Sequence, residues 1–516
     1  MTQILIEDLG SQYTLLISRV LRELGVRSVI KSPADIDGWL KENKPKGIIL
    51  SGGAASIYDE DAPKVDYAGL AARGIPMLGI CLGMQGIVDH FRGEVVNRPS
   101  YAQYGLSELT LTGYEDRLFR NIPVGEDKVP RRAGIVWMSH GDSAEKINGL
   151  EMRVLGTSEG IISAVKSLYL PIWGLQFHPE VRETTYGKDI FKNFLDICGV
   201  EQDWKPTDVI QEIRKEVLGF MPSDAKCILA FSGGVDSTTL AAILAPVLSN
   251  RLICIVIDAG HLREGELEEI KANAASADVK PLIISCADVF LGPLGIGSIT
   301  DAETKRGVFQ RKYFNILEEE AKRLGVVYLI QGTLLPDRIE SGSTGEAEAI
   351  KTHHNVGFES KLKQIHPFRL FKDEVRELAR SLGLPPEVSE RMPFPGPGLF
   401  PRIVGVPVNE ERLEIVRWAD MEVRKIIEEV GLEKEISQLV VALIGIRTVG
   451  VKGDGRSYGY AIAVRAVVTS DFMTCRGYQF SPEIRRRIQK VLTSHPKITR
   501  VWFDENDKPP ATVEFE

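Results

Sequence analysis

The stretch Ser232-Gly-Gly-Val-Asp-Ser237 constrains this chain more than any other. It follows the apolar run Cys227-Ile-Leu-Ala-Phe231 and leads into Thr238-Thr-Leu-Ala-Ala-Ile-Leu244, so the order is strand, glycine turn, helix. Gly233 and Gly234 let the backbone turn its N–H groups inward, and the N-terminus of the following helix favours anions. Ser232, Ser237 and Thr238 add hydroxyl donors beside Val235 and Asp236. Such a turn suits a pyrophosphate group. It is not a Walker loop, because the lysine that closes that motif is missing.

A chain of 516 residues is too long for one core, and about three domains are expected. The formal net charge of −8 (63 basic minus 71 acidic side chains) argues against general nucleic-acid binding. No apolar run approaches the ~20 residues of a membrane span, so neither a nucleic acid nor a membrane is expected as a partner. The N-terminus lacks the basic region and long apolar core of a signal peptide. Cys81, Cys198, Cys227, Cys254, Cys286 and Cys475 are scattered without a C-x-x-C pair. Neither a zinc site nor a disulfide framework is expected, and a reducing cytoplasm is the simplest home.

Residues 1–202 alternate strand and helix signals: Ile4–Ile6, Gly47–Leu50, Pro76–Ile80 and Ile172–Phe177 read as strands, and Leu16, Val20, Leu21 and Leu24 keep a helical period. Proline and charge in Glu201-Gln-Asp-Trp-Lys-Pro206 mark a linker. A second strand–helix series fills 203–392. Its strands Arg251–Ile257 and Val326–Ile330 end at Asp258 and Gln331, on the rim where an open α/β sheet binds ligands. Ser341–Lys363 reads as a lid, and Pro393-Phe-Pro-Gly-Pro-Gly398 as a rigid boundary. Residues 393–516 read as a smaller α+β unit, with a strand at Ala461–Val468, a helix at Pro482–Leu492 and a terminal strand at Thr512–Phe515. The fold class expected is two doubly wound, mostly parallel α/β domains followed by that α+β domain.

Strand Met77–Ile80 runs straight into Cys81-Leu-Gly-Met-Gln85. A sharp turn there would lift the sulfur to the sheet rim, with the next helix N-terminus favouring a thiolate. A lone cysteine after a strand is more often core. Gln176-Phe-His-Pro-Glu180 shifts that balance, since His178 can serve as base and Glu180, two residues on, can orient it. Together these motifs resemble the class I glutamine amidotransferases. The resemblance implies Cys81, His178 and Glu180 as catalytic residues. It also implies Gly52, Gly53 and the Leu82 N–H for the oxyanion, and Gln85, Ser139 and His140 around glutamine. That family usually has proline after the glycine pair, where this chain has Ala54.

The Ser232–Ser237 pattern in turn resembles the PP-loop of ATP pyrophosphatases, which cleave ATP to AMP and pyrophosphate. Both halves together are similar to the glutamine-hydrolysing GMP synthase family. Asp8–Thr14, Trp137-Met-Ser-His-Gly-Asp142, His353–Gly357, Gly450–Arg456 and Lys508–Glu516 carry that likeness in family order. Gln310, Met392 and Leu399–Arg402 depart from the family form. The resemblance implies ATP, XMP and glutamine as substrates, Mg2+ with the ATP, adenylyl-XMP as intermediate, and a homodimer formed through the C-terminal domain. The ATP site would take Ser232 to Thr238, Asp258, Gln331 and Lys372, with His353 and His354 as phosphate neighbours and Asp236 as metal contact. XMP would meet Arg306, Arg456, Lys508 and Glu516. Two other readings are another glutamine-dependent PP-loop synthetase, such as an NAD synthetase, and a degenerate nucleotide-sensing module. The first lacks a Cys81-type elbow, and the intact motifs speak against the second.

Overall fold

The computed structural model describes residues 3–113, 115–123, 125, 131–292, 294–334, 361–469, 475–508 and 511–516. Two compact units divide between Lys205 and Pro206, within the stretch expected as a linker.

The first unit is built on a nine-stranded sheet. Its strands are β1 (Ile4–Glu7), β2 (Ser28–Lys31), β3 (Gly47–Leu50), β4 (Met77–Ile80), β6 (Gln103–Leu111), β7 (Arg131–His140), β9 (Met152–Ser158), β10 (Ile161–Ser167) and β11 (Ile172–Leu175). They lie in the order β2-β1-β3-β4-β11-β10-β9-β6-β7. Two further strands, β5 (Glu94–Asn97) and β8 (Asp142–Lys146), pair with each other apart from it. The half from β2 to β11 is parallel, and the other half is antiparallel. The parallel strands are short apolar runs, and β1, β3, β4 and β11 are buried end to end, as strands covered on both faces must be. Their carboxyl ends form the rim that carries the site described below.

In the second unit β12 (Cys227–Ala230), β13 (Leu252–Asp258), β14 (Leu282–Ser285), β15 (Tyr328–Ile330) and β16 (Lys363–Ile365) form an all-parallel sheet in the order β14-β13-β12-β15-β16. A third sheet joins β17 (Ile403–Val404), β18 (Gln438–Lys452), β19 (Gly455–Val468) and β20 (Arg476–Gly477), with β21 (Ile498–Asp504) beside β19. The helix Glu410–Glu429 packs on this sheet through Leu413, Val416 and Val423. One apolar cluster runs from Ile228 and Ile255 through Phe309 and Phe400 to Leu443 and Ile462, so the last two segments share a core.

Three local expectations change. Lys363 is not lid but the first residue of β16, paired beside Tyr328; residues 341–360, with His353 and His354, lie outside the described residues. Pro393–Gly398, expected as a rigid boundary, is packed inside the second unit. The Phe394 ring lies under the guanidinium groups of Arg263 and Arg402, and a Cβ on Gly398 would stand 2.3 Å from the His261 carbonyl. Thr512–Phe515 forms no strand, because side chains anchor it instead. Glu514 pairs with Arg402 and Gln438, and Glu516 with Lys305 and the Gly405 N–H.

Candidate active sites

In the first unit Cys81 stands between β4 and the helix Leu82–His90 with φ 51° and ψ −106°. A non-glycine residue holds this left-handed backbone only when its surroundings impose it. Here the Cys81 N–H is tied to Leu175 O at 2.7 Å and the Gly83 N–H to Ser51 O at 3.2 Å. The turn is the sharp strand-to-helix elbow expected for a nucleophile.

His178 and Glu180 follow β11 in a bent segment rather than a regular strand, yet their side chains still meet. His178 Nδ1 is 2.7 Å from Glu180 Oε1, and both are buried. Burial alone would lower the His178 pKa, but the Glu180 carboxylate and the neighbouring Cys81 overcome it and raise it to about 10. The Tyr13 ring packs edge-on against the imidazole, with centroids 4.8 Å apart, and Thr184 Oγ1 donates to His178 O.

Gly52 and Gly53 line the opposite wall. A Cβ on Gly52 would lie 3.1 Å from His178 Cε1 and 3.4 Å from Cys81 Cβ. One on Gly53 would lie 2.4 Å from Leu9 O and 2.5 Å from Leu82 Cδ2. Gly53 is therefore closed to a side chain and Gly52 leaves only tight room, so the loop approaches Cys81 through its backbone. Ser51 Oγ, which receives the Leu9 N–H at 2.9 Å and donates to Gly52 O, holds the loop in place without a following proline.

Ser139 O lies 3.8 Å from Cys81 Sγ. Gln85 Nε2 and His140 Nδ1 both donate to Asp142 O, at 2.8 and 3.0 Å. An N–H at Nδ1 makes His140 the tautomer whose Nε2 is an acceptor, and that Nε2 is buried without a partner among the described residues. Burial lowers the His140 pKa to about 4 and keeps the ring neutral. Sequence reasoning missed Gln176, whose Nε2 points at Cys81 Sγ from 3.7 Å. It sits two residues before His178, and that spacing was the available signal.

In the second unit Ser232–Ser237 turns from β12 into the helix Val235–Leu248. Gly233 has φ +69°, and a Cβ there would strike Ile270 Cγ1 at 2.7 Å. Ser237 Oγ receives the Ser232 N–H at 3.2 Å and closes the loop on itself. Lys372 Nζ lies 2.6 Å from Asp236 Oδ2. Gln331 and Thr333 are brought alongside, since a Cβ on the intervening Gly332 would stand 3.3 Å from the Asp236 carbonyl carbon. Gln331 Oε1, Thr333 Oγ1 and Thr238 Oγ1 are buried and hold no partner among the described residues. Such atoms are costly unless a ligand satisfies them. Asp258 ends β13 and accepts the Gly260 N–H at 2.9 Å.

The four residues expected at XMP do not all converge. Arg306 and Glu516 line one small cleft together with Lys305, Phe309, Pro397 and Phe400. Lys305 Nζ lies 2.7 Å from both Glu516 Oε2 and Ile403 O. Arg456 and Lys508 do not line this cleft: Arg456 is exposed where β19 leaves the hairpin turn, and Lys508 bridges to Cys475. Lys305, Arg402 and Glu514 were missed as tail anchors. Only the adjacency of Lys305 to Arg306 pointed to any of them.

Asp236 can serve a magnesium ion only in company. Among the described residues no three His, Cys, Asp or Glu side chains gather into a metal cage. A magnesium that arrives on nucleotide phosphates and keeps most of its water needs one carboxylate, and Asp236 fits that demand.

The model of the class I glutamine amidotransferases matches residues 5–198, and that of the GMP synthase C terminal domain matches residues 425–515. The elbow, the His178–Glu180 pair and the first of these matches define the first unit as a glutamine amidotransferase domain. Two relatives extend the likeness along the chain. A glutamine-hydrolyzing GMP synthase of Limosilactobacillus reuteri is 41% identical over 524 residues, 99% of this chain and 97% of that protein. One of Thermus thermophilus is 42% identical over 523 residues, 99% of this chain and 100% of that protein. The chain belongs to the glutamine-hydrolysing GMP synthase family. Among solved structures, a glutamine amidotransferase of Thermotoga maritima resembles 39% of this chain and 86% of its own, at 21% identity and a TM-score of 0.27.

Proposed function

We propose that this chain converts XMP, ATP, glutamine and water into GMP, AMP, pyrophosphate and glutamate. The likeness to GMP synthases along nearly the whole chain carries the reading. Cys81 Sγ attacks the glutamine side-chain carbonyl, and the backbone around Gly52, Gly53 and Leu82 stabilises the oxyanion. His178, held by Glu180, favours the thiolate and then protonates the departing ammonia. Water releases glutamate from the thioester. In the second unit the xanthine 2-oxygen attacks the α-phosphorus of ATP and expels pyrophosphate. Ammonia then adds at C2, the ring carbon that bears the adenylylated oxygen, and the C2–O bond breaks to release AMP.

The Ser232–Thr238 loop holds the polyphosphate, with Lys372 beside it, and Asp258, Gln331 and Thr333 face the rest of the nucleotide. Bound magnesium, contacted by Asp236, would neutralise charge on the pyrophosphate. Lys305, Arg306 and Glu516 serve XMP. Arg456 and Lys508 are proposed there by family position alone.

We further propose three functional segments, 1–202, 203–392 and 393–516, in a cytoplasmic homodimer. The β18–β19 hairpin supports the dimer, because Ile446, Val451 and Tyr458 are 55%, 76% and 57% exposed there. No helix among the described residues is long and apolar enough to cross a membrane. Ammonia release from glutamine, measured with and without ATP plus XMP alongside GMP formation, tests the function. Release without GMP when all substrates are present would overturn it.

A further inference from the structure

The carbonyl of Gly233 is held by two donors from outside its own loop. Arg391 Nη1 lies 2.9 Å from it and Asn273 Nδ2 2.8 Å. Asn273 belongs to the helix Glu266–Ser276, whose Ile270 also closes off the side-chain direction of Gly233. The second nitrogen of Arg391 is fixed in turn by Glu266 at 2.7 Å and Glu269 at 3.3 Å. Its own carbonyl receives Arg376 Nη2 at 3.0 Å. Arg376 lies in the helix Lys372–Ser381, the helix whose first residue grips Asp236. One short stretch of chain therefore holds the loop at both ends.

A trans peptide points its C=O and N–H in opposite directions. Drawing the Gly233 carbonyl outward onto Arg391 and Asn273 turns the Gly234 N–H to the other side. That N–H turns toward the Ser232 side chain and donates a long hydrogen bond to its Oγ at 3.4 Å, which a phosphate oxygen can replace. A glycine peptide is otherwise free to flip, since both of its dihedrals are soft. A flip would present a carbonyl oxygen to the phosphates and repel them.

We propose that Arg391 is a positioning residue of the nucleotide loop: through the Gly233 carbonyl it locks the Gly233–Gly234 peptide in the orientation that offers its N–H to the polyphosphate of ATP. It touches no substrate. The inference rests on reading Ser232–Thr238 as the ATP loop. It adds a residue from beyond that motif, 158 positions along the chain.

The test is XMP-dependent exchange of pyrophosphate into ATP by the full chain, unaltered and as Arg391→Met and Arg391→Lys. Methionine keeps most of the stem and removes the donors. Lysine restores one donor and the charge. Arg391→Met is expected to lower the exchange kcat by roughly 10- to 100-fold, with the KM for XMP within about twofold. Arg391→Lys is expected to recover most of that loss, which a purely packing role would not allow, because lysine and methionine fill the site alike. If Arg391→Met does not fold, Arg391→Gln, too short to reach the Gly233 carbonyl, takes its place: a kcat reduced with XMP KM unchanged supports the inference, and an unaltered kcat overturns it. Equal losses in both variants, or a change confined to the XMP KM, also overturn it. Absence of exchange in the unaltered chain overturns the ATP-loop reading itself. Exchange that survives Arg391→Met at full rate overturns only the role of Arg391.

Discussion

His178 Nδ1 and Glu180 Oε1 lie 2.7 Å apart with both side chains closed to solvent. A buried pair this close keeps the proton on the imidazole against the cost of burial, so its effect depends on pH. The folded-state pKa of His178 is raised from 6.5 to about 10. The pair's contribution to stability is therefore complete below the open-chain value and lost as pH rises through the folded one.

Glu180→Gln removes the charge and keeps the shape. The unfolding free energy near neutral pH is expected to fall by about 1–3 kcal/mol. Its decline with rising alkaline pH should flatten, and glutamine hydrolysis should drop by roughly a hundredfold. Denaturant melts across a pH series measure the first two, and ammonia release measures the third. An unchanged pH slope would separate Glu180 from His178.

Cys81→Ala removes the nucleophile and leaves the second unit intact. GMP formation from glutamine is expected to vanish, while formation from added ammonium continues within about twofold of the unaltered protein. Steady-state assays with each nitrogen donor decide this. Loss of both activities in folded protein would contradict two separable sites.

Glu7 ends β1 and is buried, with Oε2 lacking a partner among the described residues. Burial first, then Asp37 and Asp66, raise its pKa from 4.5 to about 8; the neighbouring Tyr67 hydroxyl is pushed up as well, by burial first and then by Glu7. The native protein thus keeps a proton that the unfolded chain releases, and stability falls between those two values as pH rises. Glu7→Gln should raise the melting temperature at pH 8 and above and leave it nearly unchanged at pH 4.5. Calorimetric scans at the two pH values test this. Equal shifts at both would point to packing instead of charge.

Glu516 neutralises Lys305, which is almost wholly buried. Removing residues 514–516 strips partners from Lys305 and Arg402 together. The KM for XMP should rise by roughly tenfold or more, with glutamine hydrolysis in the absence of nucleotides little altered. A folded truncation with unchanged XMP KM would reduce the tail to a structural plug.

The elements whose signals are local are legible in the order of residues. β4, β12 and β13 are apolar runs that stop at chemically loaded turns, and Cys81, Gly233 and Asp258 stand at those turns as their spacing required. The linker near Pro206 announced itself by proline and charge. Long-range pairing was not legible. Thr512–Phe515 has strand-forming residues, but Arg402, Gln438 and Lys305 offer the carboxylates of this tail partners that a ladder could not. Phe394, in a proline-glycine run that reads as a break, is held under two guanidinium groups.

Periodicity, glycine placement and short polar motifs alone determined that this chain carries a cysteine elbow and a phosphate-type loop on two α/β sheets. These are properties of a few consecutive residues, set by backbone sterics and burial. Tertiary structure alone decided what surrounds them. It put Gln176 beside Cys81 and Arg391 behind Gly233, placed Glu516 on Lys305, and kept Arg456 out of the cleft that Arg306 lines. Such partners are chosen by packing among residues tens to hundreds of positions apart. No local pattern encodes that choice, because it depends on which buried charge or dipole remains to be satisfied once the core has closed.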